Sequence, residues 1–84
     1  MSYFLDFTDI AISDLARLKR SEPVAYKKAL KLIEELKEHP TTGTGKPEPL
    51  RGNRAGQWSR RINTKHRLVY SINDEILTVL VLAS

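Results

Sequence analysis

A chain of 84 residues can hold one domain with one core but not two, and its 40% apolar share is too high for a disordered protein. There is no cysteine, which excludes a disulfide framework and a thiolate metal site; His39 and His66 stand far apart with no acidic cluster around them, so neither a metal nor another cofactor is expected. The net charge of +4 is unevenly spread: Lys46 to Arg67 holds seven Lys/Arg and one acid, Glu48, while the rest of the chain holds seven bases and nine acids. Such a confined basic stretch is the footprint of a surface that meets phosphate, the alternative being a solvated basic face without a partner.

The first residues carry Asp6 and lack a basic start, so they do not read as a signal peptide. The longest apolar run, Ile76 to Ala83, is broken by Thr78 and falls far short of the roughly 20 residues a membrane span needs. A soluble, cytoplasmic protein with no membrane partner is expected, built as a single domain over residues 1–84.

Ser2 to Phe7 is short, aromatic and apolar and reads as a strand. Thr8 is placed to cap a helix, with Asp9 in the first turn where negative charge suits the dipole. Ile12, Leu15, Ala16 and Leu18 supply an apolar face at helical spacing, and Arg17, Lys19 and Arg20 sit near the end. Pro23 starts a second helix, expected from about Glu22 to Glu38. Tyr26, Ala29, Leu30, Ile33 and Leu36 form its stripe, with Lys27, Lys28, Lys31, Glu34, Glu35 and Lys37 on the solvated side. Pro40 disfavours helix at the residue before it, so the helix should end by His39. The two helices are expected to form an antiparallel hairpin.

Thr41 to Gly56 has glycines, prolines and no apolar period, and reads as a long surface loop with a short strand around Pro49 to Leu50. From Gln57 the period becomes two. Gln57 to Asn63, Arg67 to Ile72 and Ile76 to Ala83 read as strands, joined by turns at Asn63 to His66 and Asn73 to Glu75. The order β-α-α-β-β-β predicts an α+β fold, a helical hairpin packed on a mostly antiparallel, twisted sheet.

Glu48, the lone acid among seven bases, is either a loop glutamate balancing its neighbours or a general base whose ionised form they favour. Arg67 opens a strand whose other members look buried, and its planar guanidinium suits phosphate. Arg60 and Arg61 are neighbours on one strand, so only one of them can face a substrate. His66 precedes Arg67, should point to the opposite face, and reads as structural. Trp58 reads as a core or interface residue, with stacking on a base as the alternative. Tyr70 reads as core. Lys46, Arg51, Arg54 and Lys65 are candidates for phosphate or RNA contact without sequence readout.

The segments Gly45-Lys46-Pro47-Glu48-Pro49-Leu50, Gly56-Gln57-Trp58-Ser59-Arg60-Arg61-Ile62 and His66-Arg67-Leu68-Val69-Tyr70 resemble, in sequence and spacing, the YoeB-like toxins of the RelE/ParE superfamily. The resemblance covers essentially the whole chain and is strongest over residues 45–70. It implies a RelE-like fold and a toxin of a type II toxin-antitoxin system, an endoribonuclease that needs no metal. Its partners would be a cognate YefM/Phd-like antitoxin, the ribosomal A site and its mRNA, with a homodimer as a further assembly. Cleavage would proceed by 2′-hydroxyl attack on the adjacent phosphate and would inhibit translation. The acid/base carboxylate of the family falls on Glu48, its transition-state arginine on Arg67, a further active-site arginine on Arg61, and a basic substrate-contacting position on Arg51. Arg60 is then expected to be solvent-exposed or an antitoxin contact. The family pattern closes with a histidine-tyrosine pair after the last strand, where this sequence reads Leu82-Ala83-Ser84. Either that pair has been removed or it lies beyond Ser84; the general-acid position has no counterpart within residues 1–84, and strongly impaired cleavage by this form is expected. A ParE-like gyrase poison and a non-enzymatic module binding RNA and antitoxin are the competing readings.

Overall fold

The computed structural model describes residues 3–54 and 56–83. Strand β1 (Phe4–Phe7) leads into helix α1 (Asp9–Ser21) and helix α2 (Pro23–Leu36), followed by β2 (Glu48–Pro49), β3 (Gln57–Arg61), β4 (Arg67–Asn73) and β5 (Ile76–Ala83). The five strands form one sheet in the order β1-β5-β4-β3-β2. Only β1 runs parallel to its neighbour, β5; the other pairs are antiparallel. The α+β architecture and the strand order along the chain are those expected. The first strand begins at Phe4, and Ser2 lies outside the described residues. The short strand in the loop covers Glu48 and Pro49, one residue earlier than the sequence suggests, and β3 stops at Arg61.

Thr8 caps α1 as its hydroxyl type predicts. Its Oγ1 accepts from the Ala11 N–H at 3.0 Å and donates to the Leu80 carbonyl at 2.5 Å, tying the helix start to β5. Glu22 alone separates the two helices, with Pro23 in the first turn of α2. A register shift near Val69/Tyr70 moves the pairing from Val81 to Val79, so Val79 and Leu82 both turn toward the helices although they are three apart. The core gathers Leu18, Ala29, Leu32 and Leu36 from the helices and Leu68, Tyr70, Leu77 and Val79 from the sheet. Each fully buried aliphatic side chain contributes about 1.5–3 kcal/mol.

The helix faces differ from those expected. In α1 the buried positions are Ala11, Asp14 and Leu18, while Ile12 and Ala16 are exposed and Leu15 is half-buried. The reason is Asp14. Its Oδ2 accepts from the Leu82 N–H at 3.2 Å and its Oδ1 from Arg17 at 2.5 Å, so a carboxylate takes an inward position and turns Ile12 out. In α2, Ala25 and Leu32 join the buried stripe, and Leu30 lies outside it. Among the described residues no helix is long and apolar enough to cross a membrane.

Chemical denaturation tests the placement of the α1 face. Leu18→Ala, at a residue 5% exposed, should cost about 2–5 kcal/mol. Ile12→Ala, at a residue 56% exposed, should stay within about 0.5 kcal/mol of the parent chain. Equal losses at the two positions would contradict the observed face.

Candidate functional site

Strand pairing assembles the site. Glu48 lies opposite Ser59 in the β2–β3 ladder, and Arg61 lies opposite Arg67 in the β3–β4 ladder. Paired residues share a face, as do residues two apart on a strand. Glu48, Ser59, Arg61 and Arg67 therefore converge on the side of the sheet away from the helices. Arg67 Nη1 stands 3.9 Å from Glu48 Oε2, and it reaches Ser59 Oγ at 3.5 Å. The side chains of Glu48 and Arg67 are 60% and 44% exposed, so both can be reached from solvent. Arg61 is exposed and has no side-chain partner among the described residues.

The remaining cations flank this group. Gly45 accepts from the Arg61 N–H at 2.7 Å, which brings neighbouring Lys46 to the Arg61 end of the site. Lys65 lies in the turn just beyond the Arg61–Arg67 pair, where Asn63 Oδ1 holds the N–H groups of Lys65 and His66 at 2.9 and 2.8 Å. Arg51 and Arg54 sit at the other end, in the connection between β2 and β3, where Arg54 Nε donates to Gln57 Oε1 at 3.2 Å. All four are exposed.

Three neighbours point elsewhere. Trp58 is half-buried and packs against the core, so it faces away from Glu48. His66 Nε2 meets Glu22 Oε2 at 2.7 Å, joining the β3–β4 turn to the junction of the helices. That hydrogen bond holds the Glu22 carboxyl below its ordinary range against the desolvation that would raise it, with the charges of His66 and Lys65 helping. Tyr70 is fully buried, its hydroxyl donates to the Pro40 carbonyl at 2.5 Å, and burial pushes its phenol up.

Arg60 overturns the expectation of a solvent-exposed or antitoxin-contacting residue. It is 0% exposed. Its Nη1 donates to Glu35 Oε1 at 2.6 Å and to the Thr44 carbonyl at 3.2 Å, and its Nη2 donates to the carbonyls of His39 and, at 2.6 Å, Thr42. Its Nε donates to Tyr70 Oη at 3.4 Å. Glu35 also accepts from the Thr44 N–H at 2.7 Å and hydroxyl at 3.1 Å. Those bonds, the Thr44 N–H first and Arg60 after it, hold the Glu35 carboxyl below its ordinary range against the desolvation that would raise it. An arginine is tolerated inside because a glutamate and several neutral acceptors meet every face of its fork. The signal was present in the alternation, since Arg60 stands between core-facing Trp58 and Ile62. Ser59 was also missed, although its spacing from Arg61 puts it on the outward face beside Arg67.

Residues 7–83 match the family model of the YoeB-like toxin of bacterial type II toxin-antitoxin systems. The chain belongs to this family. It is 40% identical over 74 residues to the toxin YoeB of Synechocystis sp., covering 88% of this chain and 86% of that one. Its fold is similar to that of a YoeB/ParE toxin from Agrobacterium tumefaciens, with a TM-score of 0.86, 38% identity and 95% of each chain covered. It is also similar to the YoeB of Staphylococcus aureus, solved as a dimer and in complex with YefM. Those TM-scores are 0.86 and 0.85, at 29% identity with 100% of this chain and 98% of the other covered.

The two lowered carboxyls set an acid limb of stability. A carboxyl whose folded pKa lies below its unfolded value stabilises the fold fully above the unfolded value and loses that contribution as pH falls through the folded one. For Glu22 and Glu35 the loss begins below the ordinary value of 4.5. Glu22→Gln should make the decline of stability below that pH shallower, read as urea midpoints at a series of pH values. An unchanged acid slope would mean that the Glu22–His66 bond contributes nothing in solution.

Proposed function

We propose that residues 1–84 act as one domain that cleaves mRNA on the ribosome, the toxin half of a type II toxin-antitoxin pair. The observation that carries this reading is the juxtaposition of Glu48 and Arg67 at 3.9 Å on an accessible sheet face. RNA cleavage by internal attack needs a base for the 2′-hydroxyl proton and cations for the charge that builds on the phosphoryl oxygens. In the proposed reaction Glu48 takes the 2′-hydroxyl proton, and the 2′-oxygen bonds to the adjacent phosphorus. The bond to the 5′-oxygen breaks, and that oxygen takes up a proton from water. Arg67 and Arg61 hold the phosphoryl oxygens, with Arg67 steadied by Ser59. These are protein side chains throughout, and no step calls on a metal ion. Lys46, Arg51, Arg54 and Lys65 grip the RNA backbone at either end of the site without reading its sequence.

Partners follow from the relatives. The Staphylococcus aureus YoeB forms a complex with YefM and a dimer. A YefM-like antitoxin and a homodimeric state are therefore the proposed assemblies. The antitoxin's acidic tail would fold as it covers the basic face. Action at the ribosome places the protein in the cytoplasm, where it inhibits translation.

The test is cleavage of a programmed mRNA on purified ribosomes, by the chain as it stands and with a histidine-tyrosine pair appended after Ser84. Glu48→Gln should slow cleavage by about 10²–10⁴-fold, and Arg67→Ala by about 10²–10³-fold. Neutralising Lys46, Arg51, Arg54 or Lys65 singly should weaken RNA binding evenly across sequences and reduce its salt slope by about 1. Cleavage indifferent to Glu48→Gln, or gyrase inhibition with intact mRNA, would overturn the reading.

A further inference from the structure

Segment 37–47 must deliver Glu48 to one side of the sheet with little regular structure of its own. It joins α2 to a strand of only two residues, Glu48–Pro49. A slip of one residue in so short a ladder would send the carboxylate to the opposite face. The two pairs, extended by the Leu50 N–H bond to the Gln57 carbonyl at 2.8 Å, make a short ladder that other bonds reinforce.

Those bonds come from the core side. Arg60, Tyr70 and the Arg61 N–H together hold the carbonyls of His39, Pro40, Thr42, Thr44 and Gly45. Glu35 holds Thr44 by both its N–H and its hydroxyl while it pairs with Arg60. The loop follows this pattern because glycines stand where it passes closest. Gly45 has φ +86°, and a Cβ there would lie 2.8 Å from the Arg61 carbonyl; Gly43 has φ +106°, and a Cβ there would meet Glu35 Oε1. Lys46 follows at φ 51°, and Glu48 two residues later.

We infer that Arg60 is a positioning residue for Glu48: it fixes the path of residues 39–45 from inside the core, and so sets the register and face of the carboxylate on β2. Adjacent residues of β3 then divide the work. Arg61 faces the substrate, and Arg60 holds the segment that carries the base. This inference rests on the ribonuclease reading for its effect on rate, but the placement of the loop can be measured without it.

The experiment compares Arg60→Lys, Gly45→Ala and Leu32→Ala with the parent chain. Lysine keeps the charge but offers one ammonium where the guanidinium spans several acceptors. Gly45→Ala strains the same loop from its other side. Leu32→Ala loosens the core at a residue outside the loop and the site. Cleavage is measured well below each melting temperature, and backbone amide exchange is followed at Thr44 and Arg61. The expected result is a kcat about 10²-fold lower for Arg60→Lys and Gly45→Ala, as for a misplaced catalytic group, with KM for the programmed ribosome little changed. Exchange at Thr44 and Arg61 should accelerate about 10-fold or more in both variants. Leu32→Ala should lose thermal stability and keep its kcat. A folded Arg60→Lys protein with parental kcat overturns the inference, as does a kcat loss matched by a Leu32→Ala variant of equal stability. If neither the parent chain nor the form with the appended histidine-tyrosine pair cleaves, the ribonuclease reading fails, and exchange decides the positioning role: unchanged protection at Thr44 and Arg61 would overturn it.

Discussion

The arginine buried at position 60 is the constraint to which most of the molecule conforms. Removing a guanidinium from water is costly, and one ion pair with Glu35 would not offset it alone. The deficit is met by neutral acceptors from different parts of the chain: the carbonyls of His39, Thr42 and Thr44 in the loop and the Tyr70 hydroxyl of β4. Among the described residues no buried side-chain nitrogen or oxygen lacks a partner. Such a network is valuable only when complete, because each acceptor left alone in a dry interior costs more than its bond contributed. The loop, the helix end and the sheet therefore hold together or fail together at this point.

The sheet keeps two kinds of chemistry apart by its two-residue period. Facing the helices, Trp58, Arg60 and Ile62 serve packing and the buried network. Facing outward, Ser59 and Arg61 serve an open surface that β2 and β4 complete with Glu48 and Arg67. A surface at the β2 side of the sheet on which the side chains of Glu48 and Arg67 are 60% and 44% exposed fits the proposed large substrate held in place by another body. Under the proposed ribonuclease reading a base at Glu48 would need no pocket walls, only a fixed position, which the loop behind it would supply.

Local signals in the sequence and long-range ones fared differently. The cap at Thr8, the break at Glu22-Pro23, the turns at Asn63 and Asn73 and the alternation from Gln57 onward are decided by neighbours in the chain, and all are readable there. The outward grouping of Glu48, Arg61 and Arg67 was legible from family motifs and strand phase together. Asp14 was not, and for Arg60 the strand phase pointed inward while its polarity argued against it. Each is a charged residue in an inward position, stabilised by partners 68 and 25 residues away. Polarity alone argues for the outside at such sites, and only a partner brought near by the fold makes the inside favourable. The same holds for the α1 face, where Asp14 and Ala11 take inward positions beside Leu18 and Ile12 is exposed.

The parallel pairing of β1 with β5 has a consequence for how the chain is born. Phe4 lies beside Ile76, and Thr8 donates to a carbonyl 72 residues further on. On an elongating ribosome the first strand has no sheet partner until β5 has emerged. The helices can form early, but the sheet that displays Glu48 and the arginines cannot close until synthesis of β5 is over. A copy still lacking β5 is therefore held short of the native arrangement by topology alone.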